Sequence, residues 1–229
     1  MRRFLKRAAL VLVSLVVLGF AAGSCLSWWF AHATPGQYRH VFNFIYRHPA
    51  GAFTHEPNRL LVETVATLPP GRALDIAMGE GRNAVYLASR GWDVTGFDVS
   101  DEALRQANVR AMKAGVKIRI SREGSETFDY GRELWALIVL SYAFAPVRDA
   151  AYVRRIRDAL KPGGVVVFEH YIRSPGMGDN VGMPDREQLP RLFSDFEIRR
   201  HEEMEAPSDW QGGRKAPLAR LVAVKRTAY

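Results

Sequence analysis

Residues 73–84 read ALDIAMGEGRNA, a short apolar run that ends in a glycine-rich turn. A short apolar run bounded by turn residues is typical of a buried strand. The stretch 82–90 after the turn has a helical pattern, so the segment predicts a strand, a tight turn and a helix. Gly79 and Gly81 let the backbone of this turn pass close to a ligand, because glycine carries no Cβ.

The alternation of strands and helices continues on both sides of this segment. Upstream, Leu60, Leu61, Val65 and Leu68 have helical spacing. Downstream, the apolar patterns predict further strands at 93–99, 117–122, 135–142 and 164–171, with helices between them, and a helix at 185–193. Such alternation predicts an α/β fold with a doubly wound, Rossmann-like, mostly parallel sheet. The last two runs, 196–201 and 220–225, suit an antiparallel hairpin at the edge of that sheet.

Acidic side chains stand where the first two predicted strands end. In a doubly wound sheet, ligands bind beyond the carboxyl ends of the strands, and an acid at the end of the second strand can accept hydrogen bonds from ribose hydroxyls. Asp98 has that position, while Asp75 and Glu80 flank the glycine turn. Residues 79–84 also fit the dinucleotide pattern GxGxxA. The acids would repel a pyrophosphate, whereas they favour the cationic amino and sulfonium groups of S-adenosylmethionine (SAM), so SAM is preferred over NAD.

Charge and cysteine content exclude several other classes. The net charge is +8, but Arg2, Arg3, Lys6 and Arg7 lie at the N-terminus and the rest of the chain carries only +4. Its basic residues are scattered among acids, so no nucleic-acid partner is predicted. The single cysteine, Cys25, allows no intramolecular disulfide.

The N-terminal region predicts a membrane anchor. Residues 8–31 contain no charged side chain and span roughly 36 Å as a helix, enough to cross a bilayer. A cleaved signal peptide and a lipid attached to Cys25 are the alternatives. The basic N-terminus places the main domain outside the cytoplasm by the positive-inside rule, whereas a cytosolic cofactor requires the opposite side. The prediction is a single-pass, membrane-anchored protein whose catalytic domain is cytoplasmic.

Three segments follow from these patterns: a basic start and anchor at 1–31, an aromatic linker at 32–58 and the main domain at 59–229. The linker contains Tyr38, Phe42, Phe44, Tyr46 and Phe53. These aromatic residues are interpreted either as a lid over the ligand site or as an ordinary packed covering segment.

The motif at 73–84 resembles motif I of the class I SAM-dependent methyltransferases, in particular the small-molecule branch that includes tellurite-resistance-type enzymes. Two further stretches resemble motifs of that family in the same order: GFDVS at 96–100, the ribose-binding strand end, and LKPGG at 160–164, the turn before the fifth strand. The resemblance covers about 58–225. Three positions depart from the family pattern: Ala77 replaces the usual first glycine, Ala136 stands where an Asp is frequent, and no Asp-Ala pair follows the third strand.

The resemblance implies a cofactor site and a methyl-transfer site. The residues that it assigns to SAM are Asp75, Ala77, Met78, Gly79, Glu80, Gly81, Asn83, Asp98, Val99, Glu123, Gly124, Ser125 and Ser141. The methyl group would lie near the ends of the fourth and fifth strands. His170 is the candidate base, since an imidazole titrates near neutrality, and Tyr142 is the candidate for orienting the substrate. The remaining histidines show no ligand spacing, so no metal is predicted.

These observations lead to three hypotheses about function. The first is a SAM-dependent methyltransferase whose acceptor is a small or lipid-like molecule. The sequence SYAF at 141–144 favours such an acceptor, because it lacks the Asn/Asp-Pro-Pro-Tyr signature of methylases that act on amino groups of bases or of glutamine. The second is a SAM-binding membrane protein without catalysis, and the third is an NAD-type oxidoreductase.

Overall fold

The structure is a computed structural model that describes residues 35–48, 53–173 and 182–227. Its helices are α1 (Pro35–Arg47), α2 (Arg59–Val65), α3 (Arg82–Ser89), α4 (Asp101–Lys113), α5 (Ala150–Ala159) and α6 (Gln188–Leu192). Its strands are β1 (Arg72–Ile76), β2 (Asp93–Phe97), β3 (Arg119–Ser121), β4 (Trp135–Ser141), β5 (Leu160–Tyr171), β6 (Phe196–Pro207) and β7 (Lys215–Lys225).

The seven strands form one sheet in the order β3-β2-β1-β4-β5-β7-β6. The first five strands along the chain run parallel, and β7 lies antiparallel between β5 and β6. The strand order reverses between β1 and β4. In doubly wound folds, ligands bind in the crevice at this reversal, outside the carboxyl ends of the strands. The carboxyl ends of β1, β2 and β4 therefore meet at one edge of the sheet.

Both faces of this sheet are buried, which explains why the strands read as continuous apolar runs. In β4, Leu137 and Val139 pack on the face covered by α2 and α3. Ile138 and Leu140 pack on the opposite face, in the cluster that contains Ile156 of α5. Charged or polar residues at these positions would be buried without partners, so the alternation seen in half-exposed strands is absent from β4.

The predicted doubly wound sheet and C-terminal edge hairpin agree with this architecture. The hairpin strands β6 and β7 are longer than predicted, because residues 202–207 and 215–219 pair beyond the apolar runs. The third strand is shorter than predicted and covers only Arg119–Ser121.

The expected fold class is wrong in one component, the transmembrane helix. None of the helices within the described ranges combines the length and the apolar character that crossing a bilayer requires. The longest of them, α1 and α4, have 13 residues each and reach only about 20 Å at 1.5 Å per residue. The segment 8–31, for which the anchor was predicted, lies outside the described residues.

The predicted aromatic linker contains a helix. Tyr38, Phe42, Ile45 and Tyr46 recur at helical spacing in α1, and Phe42 and Tyr46 pack on Ala103 of α4. Polar contacts fix the same interface: Arg39 Nε donates to Asp101 Oδ2 at 2.7 Å. The segment before the sheet is thereby attached over the carboxyl ends of β1 and β2.

Candidate functional site

The glycine turn between β1 and α3 has a backbone that few side chains tolerate. Ala77, Gly79 and Gly81 all have positive φ angles, of 52°, 55° and 76°. A Cβ on Gly79 would lie 2.3 Å from the hydroxyl oxygen of Tyr46, and one on Gly81 would lie 2.9 Å from the Cβ of Ala107. Glycine is therefore required at 79 because Tyr46 of α1 lies directly over the turn, and at 81 because α3 packs closely on α4. Ala77 adopts the left-handed conformation in spite of its Cβ.

Two buried carboxyl groups flank this turn. Asp98, at the end of β2, accepts hydrogen bonds from the backbone N–H groups of Gly79 at 2.9 Å and Ser100 at 2.8 Å. Burial raises its pKa to about 6. Burial likewise raises the pKa of Asp75 to about 7, although Arg82 opposes the shift. Asp75 Oδ2 is buried and has no hydrogen-bond partner, so the site offers an unsatisfied acceptor that a cationic donor would satisfy.

Two adjoining pockets lie along these strand ends. The first is lined by the ends of β2 and β3, including Asp98, Val99, Glu123, Gly124 and Ser125. The second is lined by the glycine turn and the end of β4, including Asp75, Met78, Gly79, Glu80, Asn83 and Ser141. Ala77 and Tyr142 line both. The structure thus brings together all the residues predicted for the cofactor except Gly81, whose part is to pack against Ala107.

Helix α1 forms one side of a roof over the two pockets. Tyr38, Phe42 and Tyr46 line the first pocket, and Tyr46 also lines the second. The backbone carbonyl of Tyr46 accepts a hydrogen bond of 2.8 Å from Gln106 Nε2, which fixes the end of α1 on α4. This placement is compatible with both interpretations of the aromatic linker, a lid over the ligand site and an ordinary packed covering segment.

The loop between β6 and β7 forms the other side of the roof. Trp210 lines both pockets and stands edge-on to Phe53 at 4.8 Å between ring centroids. Asp209 forms an ion pair of 2.7 Å with Arg82 at the start of α3. Arg82 also donates to the backbone carbonyl of Glu56 at 2.8 Å. One guanidinium therefore joins the hairpin loop, the chain before α2 and the glycine turn.

A buried polar network supports the floor of the site. Glu169, at the end of β5, accepts hydrogen bonds from Asn58 Nδ2 at 2.8 Å and from the Tyr142 hydroxyl at 3.0 Å, and its other oxygen pairs with Arg220. Burial and the nearby Glu169 raise the pKa of Tyr142. Tyr142 also has a φ of 55°. The network fixes the Tyr142 side chain so that it faces both pockets, although the backbone at this residue has a positive φ.

His170, the candidate base, lies beneath the site and not on it. It lines neither of the two pockets, and burial lowers the pKa of its imidazole to about 3. Its Nδ1 accepts the backbone N–H of Tyr171 at 2.8 Å, and its Nε2 is buried without a partner. The imidazole is neutral, as a base must be, but its ring is buried outside the lining of these two pockets. The role of His170 as a base stays a prediction.

Comparison with known proteins places this site in a family. Residues 73–164, which run from β1 to the first part of β5, match the family model described as a methyltransferase domain. The domain belongs to the class I SAM-dependent methyltransferases. The recognition made from the three sequence motifs and the prediction of SAM as the cofactor of that family are therefore confirmed.

Relatives and solved structures agree with the assignment of the methyltransferase domain. A ubiquinone biosynthesis O-methyltransferase from Ralstonia nicotianae is 30% identical over 149 residues, which are 61% of this chain and 62% of that protein. The chain spans about half the length of the first curated relatives that it matches. A SAM-dependent methyltransferase from Methanosarcina mazei has the same fold, with a TM-score of 0.60 at 20% identity over 76% of this chain and 100% of that one.

A second solved structure is a Burkholderia thailandensis 1,6-didemethyltoxoflavin-N1-methyltransferase with its substrate and S-adenosylhomocysteine bound. Its TM-score is 0.64 at 18% identity, over 85% of this chain and 92% of that chain. At such identities the likeness shows a shared fold.

Sequence reasoning missed several residues of the site. Arg82 lies in the glycine motif but its type alone indicates no role there, and Asp209 and Trp210 lie in a polar loop far from the motifs. Phe144 follows β4 and lines the first pocket together with Trp210 and the aromatic residues of α1. The helical spacing of the aromatic residues in 38–46 was the one signal that could have placed α1 beforehand.

Proposed function

We propose that this chain transfers the methyl group of SAM to a small-molecule or lipid-like acceptor. The observation that carries the proposal is the pair of buried acids, Asp75 and Asp98, on either side of a glycine turn with an unsatisfied oxygen on Asp75. SAM supplies a methyl group on a sulfonium that is already activated, so the protein has mainly to bind, orient and exclude water.

The residues present fit the chemistry of this cofactor. Asp75 Oδ2 suits a cationic ammonium group, because a buried acceptor without a partner is stabilised by a charged donor. Asp98 retains acceptor capacity beside its two backbone donors, which suits ribose hydroxyls. The same acids disfavour a pyrophosphate, so the NAD-type alternative receives no support from the site.

The nature of the acceptor follows from what surrounds the site. The ubiquinone and toxoflavin methyltransferases among the similar proteins act on small organic molecules by name, and the aromatic roof of this chain would exclude water from such an acceptor. The predicted cytoplasmic side stays a prediction that follows from where SAM is available.

Calorimetric titration of the full-length chain with SAM tests the proposal. We expect binding that Asp98→Asn and Asp75→Asn each weaken by about 1–3 kcal/mol, while Asp158→Asn at an exposed position leaves it unchanged. Release of S-adenosylhomocysteine in the presence of a metabolite or lipid extract is then the measurement of turnover. Absence of binding to folded protein would refute the proposal, whereas binding without turnover in any extract would favour a non-catalytic SAM-binding protein.

A further inference from the structure

A set of five aromatic rings lines the pockets without belonging to the strand ends. We name it the aromatic collar: Tyr38, Phe42, Phe53, Phe144 and Trp210. The rings come from α1, the chain before α2, the loop after β4 and the β6–β7 loop. Three distant parts of the sequence, 38–53, the loop after β4 and the β6–β7 loop, thus supply the same kind of side chain to one wall.

Ring contacts join the collar into a continuous surface. Centroids lie 5.2 Å apart between Phe42 and Phe144, 6.2 Å between Phe144 and Trp210, and 4.8 Å between Phe53 and Trp210. The Trp210 ring is also nearly parallel to that of Tyr142, at an interplanar angle of 14°. These contacts hold the rings in place, and aromatic faces that line a pocket can bind flat ligands by stacking and edge contacts.

The charge of the site excludes one class of ligand. Among the described lining residues of both pockets, six are acidic (Asp75, Glu80, Asp98, Glu123, Glu126 and Asp209) and one, Arg82, is basic. The guanidinium of Arg82 is already committed to Asp209, Ser141 and the carbonyl of Glu56. Two of the six acids are paired with arginines, Asp209 with Arg82 and Glu80 with Arg110, each at 2.7 Å. An anionic acceptor would still meet the negative charge of the remaining acids in a partly desolvated pocket.

We propose that the methyl acceptor is a planar molecule without negative charge, held against the aromatic collar. This inference rests on the proposed function, because the collar lines the same two pockets as the residues proposed to bind SAM. Glu126 lies at the exposed mouth of the first pocket, where it disfavours the approach of carboxylates, phosphates and oxyanions. The collar sets the shape of the acceptor, and the acids set its charge.

The test uses the full-length chain saturated with S-adenosylhomocysteine, which cannot react. A first titration with that compound alone examines the proposed function, so a failure there is distinguished from a failure of the present inference. Calorimetry then compares three probes of one ring system (quinoline, N-methylquinolinium and quinoline-4-carboxylate) and a non-planar apolar probe, octanol. We expect quinoline and its cation to bind at least about tenfold more tightly than the carboxylate and octanol.

Variants connect the selectivity to named residues. Trp210→Leu should weaken quinoline about tenfold while Trp210→Phe keeps most of the affinity. Phe44→Leu, at an exposed position on α1 outside the pockets, is the matched control. Glu126→Lys should raise the affinity for the carboxylate. The proposal is overturned if the carboxylate or octanol binds as well as quinoline, if none of the probes binds the S-adenosylhomocysteine complex, or if Trp210→Leu and Phe44→Leu have the same effect.

Discussion

The hydroxyl of Tyr46 in α1 faces Gly79 in the glycine turn so closely that a Cβ at 79 would lie 2.3 Å from it. Tyr46 precedes the family-model region 73–164, yet it lines both pockets. The segment before the sheet and the most recognisable motif of the chain therefore form one site.

Gly79→Ala should lower the affinity for SAM by more than about tenfold, since the added methyl group strains a positive φ and meets the Tyr46 hydroxyl. The double variant Gly79→Ala/Tyr46→Phe should recover part of this loss because the hydroxyl is gone. Calorimetry measures both. Gly115→Ala is the matched control, since Gly115 has a φ of 66° and no atom within 4 Å of its added Cβ. Equal losses in the single and double variants would show that the contact is unimportant.

Ala77→Gly should stabilise the protein. Ala77 has a φ of 52°, and a left-handed conformation costs an L-residue roughly 1–2 kcal/mol, from which the extra entropy of an unfolded glycine must be subtracted. We expect the free energy of unfolding in urea to rise by about 0.5–1 kcal/mol without loss of SAM binding. A fall in stability would mean that the Ala77 methyl group makes packing contacts worth more than the strain.

The affinity for SAM should rise as the pH increases through about 6 to 7. Burial raises the pKa of Asp98 to about 6 and of Asp75 to about 7, so both carboxyls become ionised in this window and attract the cationic ligand. Below both pKa values the affinity should fall up to about tenfold per pH unit for each linked proton. Calorimetry in buffers of different ionisation enthalpy measures the proton release. In Asp75→Asn the pH dependence of the SAM affinity near pH 7 should disappear. If it persists, a group other than Asp75 is responsible for it.

In the unliganded protein, Asp75 and Asp98 should change the stability of the fold with pH in one direction and His170 in the opposite direction. The pKa values of Asp75 and Asp98 are raised on folding, so the folded state binds more protons and stability falls as the pH rises from about 4 to 7. The pKa of His170 is lowered to about 3 by burial, so its contribution is present above the unfolded value near 6.5 and is lost as the pH falls towards 3. NMR titration of the imidazole checks this directly, and an inflection between pH 6 and 7 would contradict it.

Glu169→Gln should destabilise the fold by up to about 3 kcal/mol, because it leaves the largely buried Arg220 guanidinium with only the more distant Glu202 carboxylate, at 3.9 Å, as an anionic partner. Urea unfolding measures the loss. Asp195→Asn, which breaks the exposed pair with Arg157, should cost less than about 1 kcal/mol. Similar effects of the two changes would show that the Glu169 network is held by packing and not by its charge.

Much of this protein was determined by local sequence. The apolar runs and the turn residues between them predicted the parallel strands and the edge hairpin. Strands that are buried on both faces are apolar along nearly their whole length, which makes them recognisable in the sequence. The glycine turn and the acids at 75 and 98 predicted the cofactor residues, since chain direction alone brings the ends of β1, β2 and β4 to one edge of the sheet.

Only the tertiary structure decided which other residues complete the site. Trp210 and Asp209 reach it because the antiparallel pairing of β6 and β7 returns their loop over the glycine turn. His170 has the sequence position of a base, but both faces of β5 are buried there, and its ring lines neither pocket while Glu169 supports Tyr142. Periodicity determines which element forms, whereas the ends of the elements and the contacts between distant loops depend on how the whole sheet is assembled.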